Sequence, residues 1–202
     1  MGVIFSLLAS SVVATTSATP LPWFDLNDYP TKAFEREWQG VTNFVVVVAP
    51  DGRPADCKIT KSSGYEMLDR SACWVPMQRA RFTPAVGADG RPSYGVYRSQ
   101  VVWQRPDRGA LQRDLGPDLE ISVDQLSPGT VQPLAIKVAY AVDAAGNPSA
   151  CTPLPDSRAQ PQRLVDAACT ALFQQLAREP VTIHGRIVAA VKTAAVKVTA
   201  TQ

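Results

Sequence analysis

Hydrophobic residues run almost unbroken from Val41 to Ala49, as in a strand covered on at least one face, and Pro50-Asp51-Gly52 follows with turn chemistry. Ala55–Thr60 then alternates. Cys57 and Ile59 share one side and Asp56, Lys58 and Thr60 the other, which predicts the half-buried return strand of a hairpin. After Ser62-Ser63-Gly64 the period lengthens: Leu68, Ala72 and Val75 recur at helical spacing, so an amphipathic helix is expected, with a kink or early end at Pro76. Ser93–Arg105 returns to period two, with Val96, Arg98, Gln100 and Val102 on one face and Tyr97, Ser99, Val101 and Trp103 on the other. The aromatic face is the one expected to pack.

The same order of patterns occurs a second time. Gly52 and Cys57 correspond to Gly146 and Cys151 at an offset of 94, and Leu68 and Cys73 correspond to Leu164 and Cys169 at an offset of 96. In this second unit Leu164, Ala167, Ala168, Ala171 and Leu172 form the helical stripe, closed by Glu179-Pro180. Pro153 and Pro155 interrupt its second strand, and its last strand falls within Ile187–Thr199. Pro106–Thr130, polar and punctuated by Gly and Pro, reads as a linker, which places the units at 28–105 and 131–202.

The repeat selects one of the three pairings open to four cysteines. A bond inside one unit implies its equivalent in the other, hence Cys57 with Cys73 and Cys151 with Cys169, each joining a strand to a helix. Such bonds belong to an oxidising compartment. A zinc site is disfavoured by the lack of any C-x-x-C and by the single histidine, His184, which reads as an ordinary strand or loop residue.

Composition narrows the classes. Twenty basic against 18 acidic residues, a net charge of +2, leave no clustered basic face for nucleic acid. No nucleophile–base arrangement, phosphate loop or metalloprotease motif occurs, so the expectation is a protein without catalysis, metal or cofactor. Met1–Ala18, uncharged apart from its amino terminus and ending in small residues, resembles a signal peptide that lacks the usual basic front.

Taken together, Tyr29-Pro30-x-x-Ala33, Gly40 before a Val-rich strand, Asp51-Gly52-Arg53, Ser62-Ser63-Gly64, Leu68-Asp69-x-x-Ala72 and Ala80-x-Phe82-x-Pro84-Ala85 resemble the TonB carboxy-terminal domain from Tyr29 to Gln104. The second unit resembles a diverged copy, keeping the Asp143–Gly146 turn, Leu164, Ala168 and Pro180 without the Tyr-Pro and Ser-Ser-Gly motifs. The resemblance implies an α+β fold of two units, each a three-stranded antiparallel sheet with helices on one face. It implies a periplasmic protein that binds extended segments of outer-membrane receptors, or another periplasmic protein, by adding a strand to the last strand of the domain. In this chain that edge is Tyr94, Val96, Tyr97, Arg98, Ser99, Gln100, Val101, Val102 and Trp103.

Two fates for that edge stay open: a partner strand takes it, or the second unit or another copy of the chain covers it. Energy transducers of the family also need an inner-membrane helix and a long Pro-rich spacer. Only Thr19–Asn27 separates the apolar start from the domain here, so the expectation is a soluble or loosely tethered binding or adaptor protein.

Overall fold

The computed structural model describes residues 17–18, 23–109, 111, 115–126, 130, 132–175 and 179–201. The signal-like segment therefore lies outside the described residues, save Ser17–Ala18, which form strand β1. Among the described residues no helix is long and apolar enough to cross a membrane.

The first half begins with a 3-10 turn at Leu26–Asp28 and a short helix, α1 (Thr31–Glu35). Then come the hairpin β2 (Gly40–Val48) and β3 (Pro54–Lys61), helix α2 (Glu66–Arg79), the short strands β4 (Phe82–Thr83) and β5 (Ala85–Val86), and the long strand β6 (Pro92–Trp103). The second half holds β7 (Leu119–Val123), the hairpin β8 (Leu134–Val142) and β9 (Pro148–Pro153), and helix α3 (Gln162–Gln175). A small hairpin, β10 (Val181–Ile183) and β11 (Arg186–Val188), precedes the last strand, β12 (Ala190–Ala200). Strand β1 pairs with β4, Ser17 opposite Thr83 and Ala18 opposite Phe82.

The two large hairpins share one geometry. Val46 lies opposite Cys57 and Tyr140 opposite Cys151. Both turns place glycine at φ 80°, Gly52 and Gly146, with amides donating to Ala49 at 2.9 Å and Asp143 at 3.0 Å. At Gly52 a side chain is doubly forbidden, because a Cβ would also stand 2.3 Å from the Phe82 carbonyl. The disulfides join Cys57 to Cys73 and Cys151 to Cys169, with Cα atoms 5.6 and 6.0 Å apart.

One expectation is corrected. The units do not keep separate three-stranded sheets: their strands merge into one eight-stranded sheet ordered β3-β2-β6-β12-β8-β9, with β5 beside β6 and β7 beside β12. Within 106–130, read from the sequence as a linker, Leu119–Val123 forms strand β7. Helix α2 runs three residues past Pro76 before it is closed at Ala80. It continues to Arg79 because the proline sits in the last turn, where little helix remains to lose, and the Ala80 amide closes on the Pro76 carbonyl at 2.9 Å.

The seam between the halves sets the rest of the architecture. Strands β6 and β12 run parallel and pair only at Tyr94 with Ala190 and Gly95 with Val191. In a parallel register paired residues share a face, so the even-numbered residues of both strands point the same way. The odd face of β6 (Tyr97, Val101, Trp103) packs with Leu68 and Ala72 of α2, whereas Tyr94 and Val96 join Ala190, Ala194, Val196 and Val198 in the core of α3. The two helices therefore lie on opposite faces of one sheet.

Each half then covers the face the other leaves bare. Ala85 of β5 packs on Ala139 and Val191, while Val181 and Ile183 of β10 join Val47 and Ala55. Lys58 Nζ donates to Thr182 Oγ1 at 2.8 Å across the same contact.

Candidate functional site

Strand β6 is held firmly on one side. Nine consecutive pairs tie it to β2, from Gly40 opposite Trp103 to Val48 opposite Gly95. On the other side its first residues are taken: Pro92 and Ser93 pair with β5, and Tyr94 and Gly95 with β12. From Val96 to Trp103 no strand among the described residues pairs with this outer side. Of the edge read from the sequence, Tyr94 is thus occupied. Val96, Tyr97, Arg98, Ser99, Gln100, Val101, Val102 and Trp103 form the stretch that keeps an outer backbone ladder.

The side chains of this stretch divide by face. Trp103 is a core residue, only 3% exposed, and half-buried Tyr97 packs against the same cluster. Trp23 sits 5.5 Å from the Tyr97 ring and 5.1 Å from that of Phe82, while Phe24 and Tyr29 meet Trp103 at 5.9 and 5.6 Å, all edge-on. These packed aromatics set the position of the strand.

The far end of β6 is locked by a polar clasp. Trp103 Nε1 donates to Thr42 Oγ1 at 3.0 Å, and Thr42 donates to Asp69 at 2.9 Å. The Asp69 carboxylate also accepts the Ser63 amide at 2.9 Å, the Ser63 hydroxyl at 2.8 Å and the Ser62 hydroxyl. Burial alone would raise its pKa, but the hydrogen bonds from Ser62, Ser63 and Thr42 outweigh that and hold it below the usual aspartate value. The clasp explains two motifs at once: Ser62-Ser63-Gly64 supplies donors and Leu68-Asp69 the acceptor. Gly40 fits because a Cβ there would stand 2.6 Å from the Ser63 carbonyl. Sequence patterning did not single out Thr42, since a polar residue in a Val-rich strand shows its role only once its partners converge.

The entering chain is pinned in the same manner. Tyr29 donates its hydroxyl to the Trp38 carbonyl, Ala33 is fully buried, and Arg79 binds Asp28 at 2.8 Å and the Trp23 carbonyl at 3.1 Å. Arg79 thus anchors the Trp23–Asp28 segment. Arg81 instead donates to the Ala80 carbonyl at the helix end, at 2.7 Å.

On the other face of β6, Arg98 forms an ion pair with Asp118, whose carboxylate also accepts the Ala195 amide at 2.8 Å. This joins the first half to β12 across the gap that opens beyond Gly95. Gln100 and its cross-strand neighbour Asn43 each keep an amide oxygen buried without a partner. His184 is exposed at the β10–β11 turn, and among the described residues no group of three or more His, Cys, Asp or Glu could hold a metal ion.

Comparison with known proteins finds two relationships. The family described as the Gram-negative bacterial TonB protein C-terminal matches residues 26–104. Protein tonB2 of Pseudomonas aeruginosa is 37% identical over 62 residues, which is 31% of this chain and 23% of that protein. The similarity thus covers under a quarter of the relative's length. No solved structure matches the chain. The matched region runs from the Leu26–Asp28 turn through the clasp to the end of β6, so the first half of the chain is similar to the TonB C-terminal family.

Proposed function

We propose that the chain is a protein of the periplasm and cell envelope that works by binding, not catalysis, in support of TonB-dependent transmembrane transport. The outer side of β6, Val96–Trp103, takes up an extended segment of an outer-membrane receptor as an added strand. The observation that carries this reading is that, among the described residues, no strand pairs with the outer side of Val96–Trp103, at the end of the region that matches the family. Aromatic packing beneath and the clasp at Trp103 hold the edge in strand geometry before any guest arrives, which lowers the ordering cost of docking. Arg98 suits a partner that comes and goes, since a charged side chain on an edge discourages permanent self-pairing. Two disulfides fit an oxidising compartment such as the periplasm. The second half reads as a diverged copy of the same domain, on its repeated order of elements and its repeated turn and disulfide.

Titration of a fluorescent synthetic receptor segment onto the protein tests this, with Val101→Pro and Val102→Pro in parallel. Successive N–H groups along a strand point to opposite sides, so one of these variants loses an outer donor while the β2 ladder survives. The expected result is that this variant, folded and with both disulfides formed, loses about tenfold in affinity, on the order of one backbone hydrogen bond. Affinity equal to that of the parent in both would rule the edge out.

An adaptor or scaffold role without energy coupling is the second reading. It is favoured by the pairing of Tyr94 and Gly95 with β12, which commits part of the edge to architecture.

A further inference from the structure

The outer side of β12 differs from that of β6. Both are the last strands of the same order of elements, and each has its hairpin partner on one side only, β2 for β6 and β8 for β12. After meeting at two residues the strands separate. In the resulting fork the β12 branch is filled by β7, Leu119 beside Val196, Ile121 beside Val198 and Val123 beside Ala200.

Strand β7 has the features of a bound extended segment. Its register is continuous over five residues and parallel to its host. Leu119, Ile121 and Val123 pack into the core of α3, while Glu120 meets Lys197 at 3.1 Å and Ser122 faces Thr199. Asp118 fixes its entry: its amide donates to the Ala195 carbonyl and its carboxylate accepts the Ala195 amide, both at 2.8 Å. Tyr140 lies opposite Lys192 as Val46 lies opposite Tyr97, so Val196 corresponds in place to Val101. The residues of β12 that β7 occupies, Val196–Ala200, thus correspond to residues 101–105, and overlap the stretch left without a strand on β6 at Val101–Trp103.

We propose that β7 is a resident guest on the second half's receiving edge, so that of the two corresponding last strands only β6 offers that edge for docking, and the second half is self-complemented. This rests on the reading of β6 as the docking edge, because it treats β12 as that edge's counterpart. The occupant is a named segment of this chain, residues 117–125.

The test is complementation in trans. Leu119–Val123 is replaced by Gly-Ser-Gly-Ser-Gly in the full chain, and a synthetic peptide of residues 117–125 is added. We expect the variant to bind one equivalent of peptide, with amide exchange at Val196–Ala200 fast in its absence and slowed again on binding. The parent should bind the same peptide at least about tenfold more weakly at that site. A folded variant that takes up no peptide, or takes it up without restoring protection at Val196–Ala200, would overturn the proposal.

Should the replacement fail to fold, the milder Ile121→Ser is measured by the same exchange. Protection at Val196–Ala200 unchanged from the parent would also count against β7 as an edge occupant. Failure of a receptor segment to bind β6 is a separate result, because the complementation peptide comes from this chain.

Discussion

The two halves build the same strand–turn–strand–helix–strand order from different material. The first packs aromatic residues, Trp23, Phe24, Tyr29, Phe44, Phe82 and Trp103, around a clasp of hydroxyls and one carboxylate. The second packs aliphatic residues, Ile136, Val138, Leu164, Leu172, Val196 and Val198, with no corresponding clasp among its described residues. The difference falls on the last strands. Strand β6 is held at its far end by the Trp103 side chain, so its outer ladder can stand without a neighbour. Strand β12 ends with Val196, Val198 and Ala200 alternating with Lys197 and Thr199, and is held there by another strand. A side-chain anchor leaves an edge open, and a strand anchor closes it.

The largest effect should come from removing the anchor of the open edge. Trp103→Ala empties a buried indole site and leaves Thr42 without its donor, an expected loss of about 3–5 kcal/mol in chemical denaturation. If Val196→Ala cost as much, the contrast between the two ends would fail. Next come the disulfides. Replacing Cys57 and Cys73 together by Ser, or Cys151 and Cys169, opens loops of 16 or 18 residues, for which chain entropy predicts about 3 kcal/mol each, read as a lowered denaturation midpoint.

A smaller and pH-dependent effect belongs to Asp69. Its pKa is lower in the folded chain than in the unfolded one, so the clasp's ionic contribution is fully present above the unfolded aspartate value of about 4 and is lost as pH falls through the folded value. Asp69→Asn should therefore be less stable than the parent at neutral pH, and the gap should close in strong acid. A constant gap across a pH series of denaturation curves would mean that the carboxylate charge contributes nothing.

The smallest change is at the seam. The Arg98–Asp118 pair is partly exposed, and Arg98→Gln should cost under about 1 kcal/mol by thermal unfolding. Asp118→Ala should cost more, because the Ala195 amide also loses its acceptor.

Much of the first half is legible along the chain. The alternation at Ala55–Thr60, the stripe at Leu68, Ala72 and Val75, and the repeated cysteine spacing each express a local period, and local periods follow from backbone geometry. The merging of the sheets is not local. It rests on two residue pairs between Tyr94–Gly95 and Ala190–Val191, about a hundred positions apart, and carries no periodic mark. One hint was present: the Val run from Val45 to Val48 is apolar on both faces, and both faces are in fact covered, one by α2 and the other in part by β10. Strand β7 alternates as a strand should, Leu119, Ile121 and Val123 against Glu120 and Ser122, but glycines and prolines on either side hide five residues of pattern. The clasp was legible only as a motif, since nothing in the spacing of Thr42, Asp69 and Trp103 announces that they meet.

The uneven attachment of β6 has a mechanical corollary. Tension applied along this strand by a docked chain would load its hydrogen bonds lengthwise, sharing the load over nine pairings toward β2 and only two toward β12. Beyond those two pairs the border is held by side chains, the Arg98–Asp118 ion pair, the Lys58–Thr182 hydrogen bond and the packing of Ala85 on Val191, so a load along β6 would reach the second half mainly through side chains.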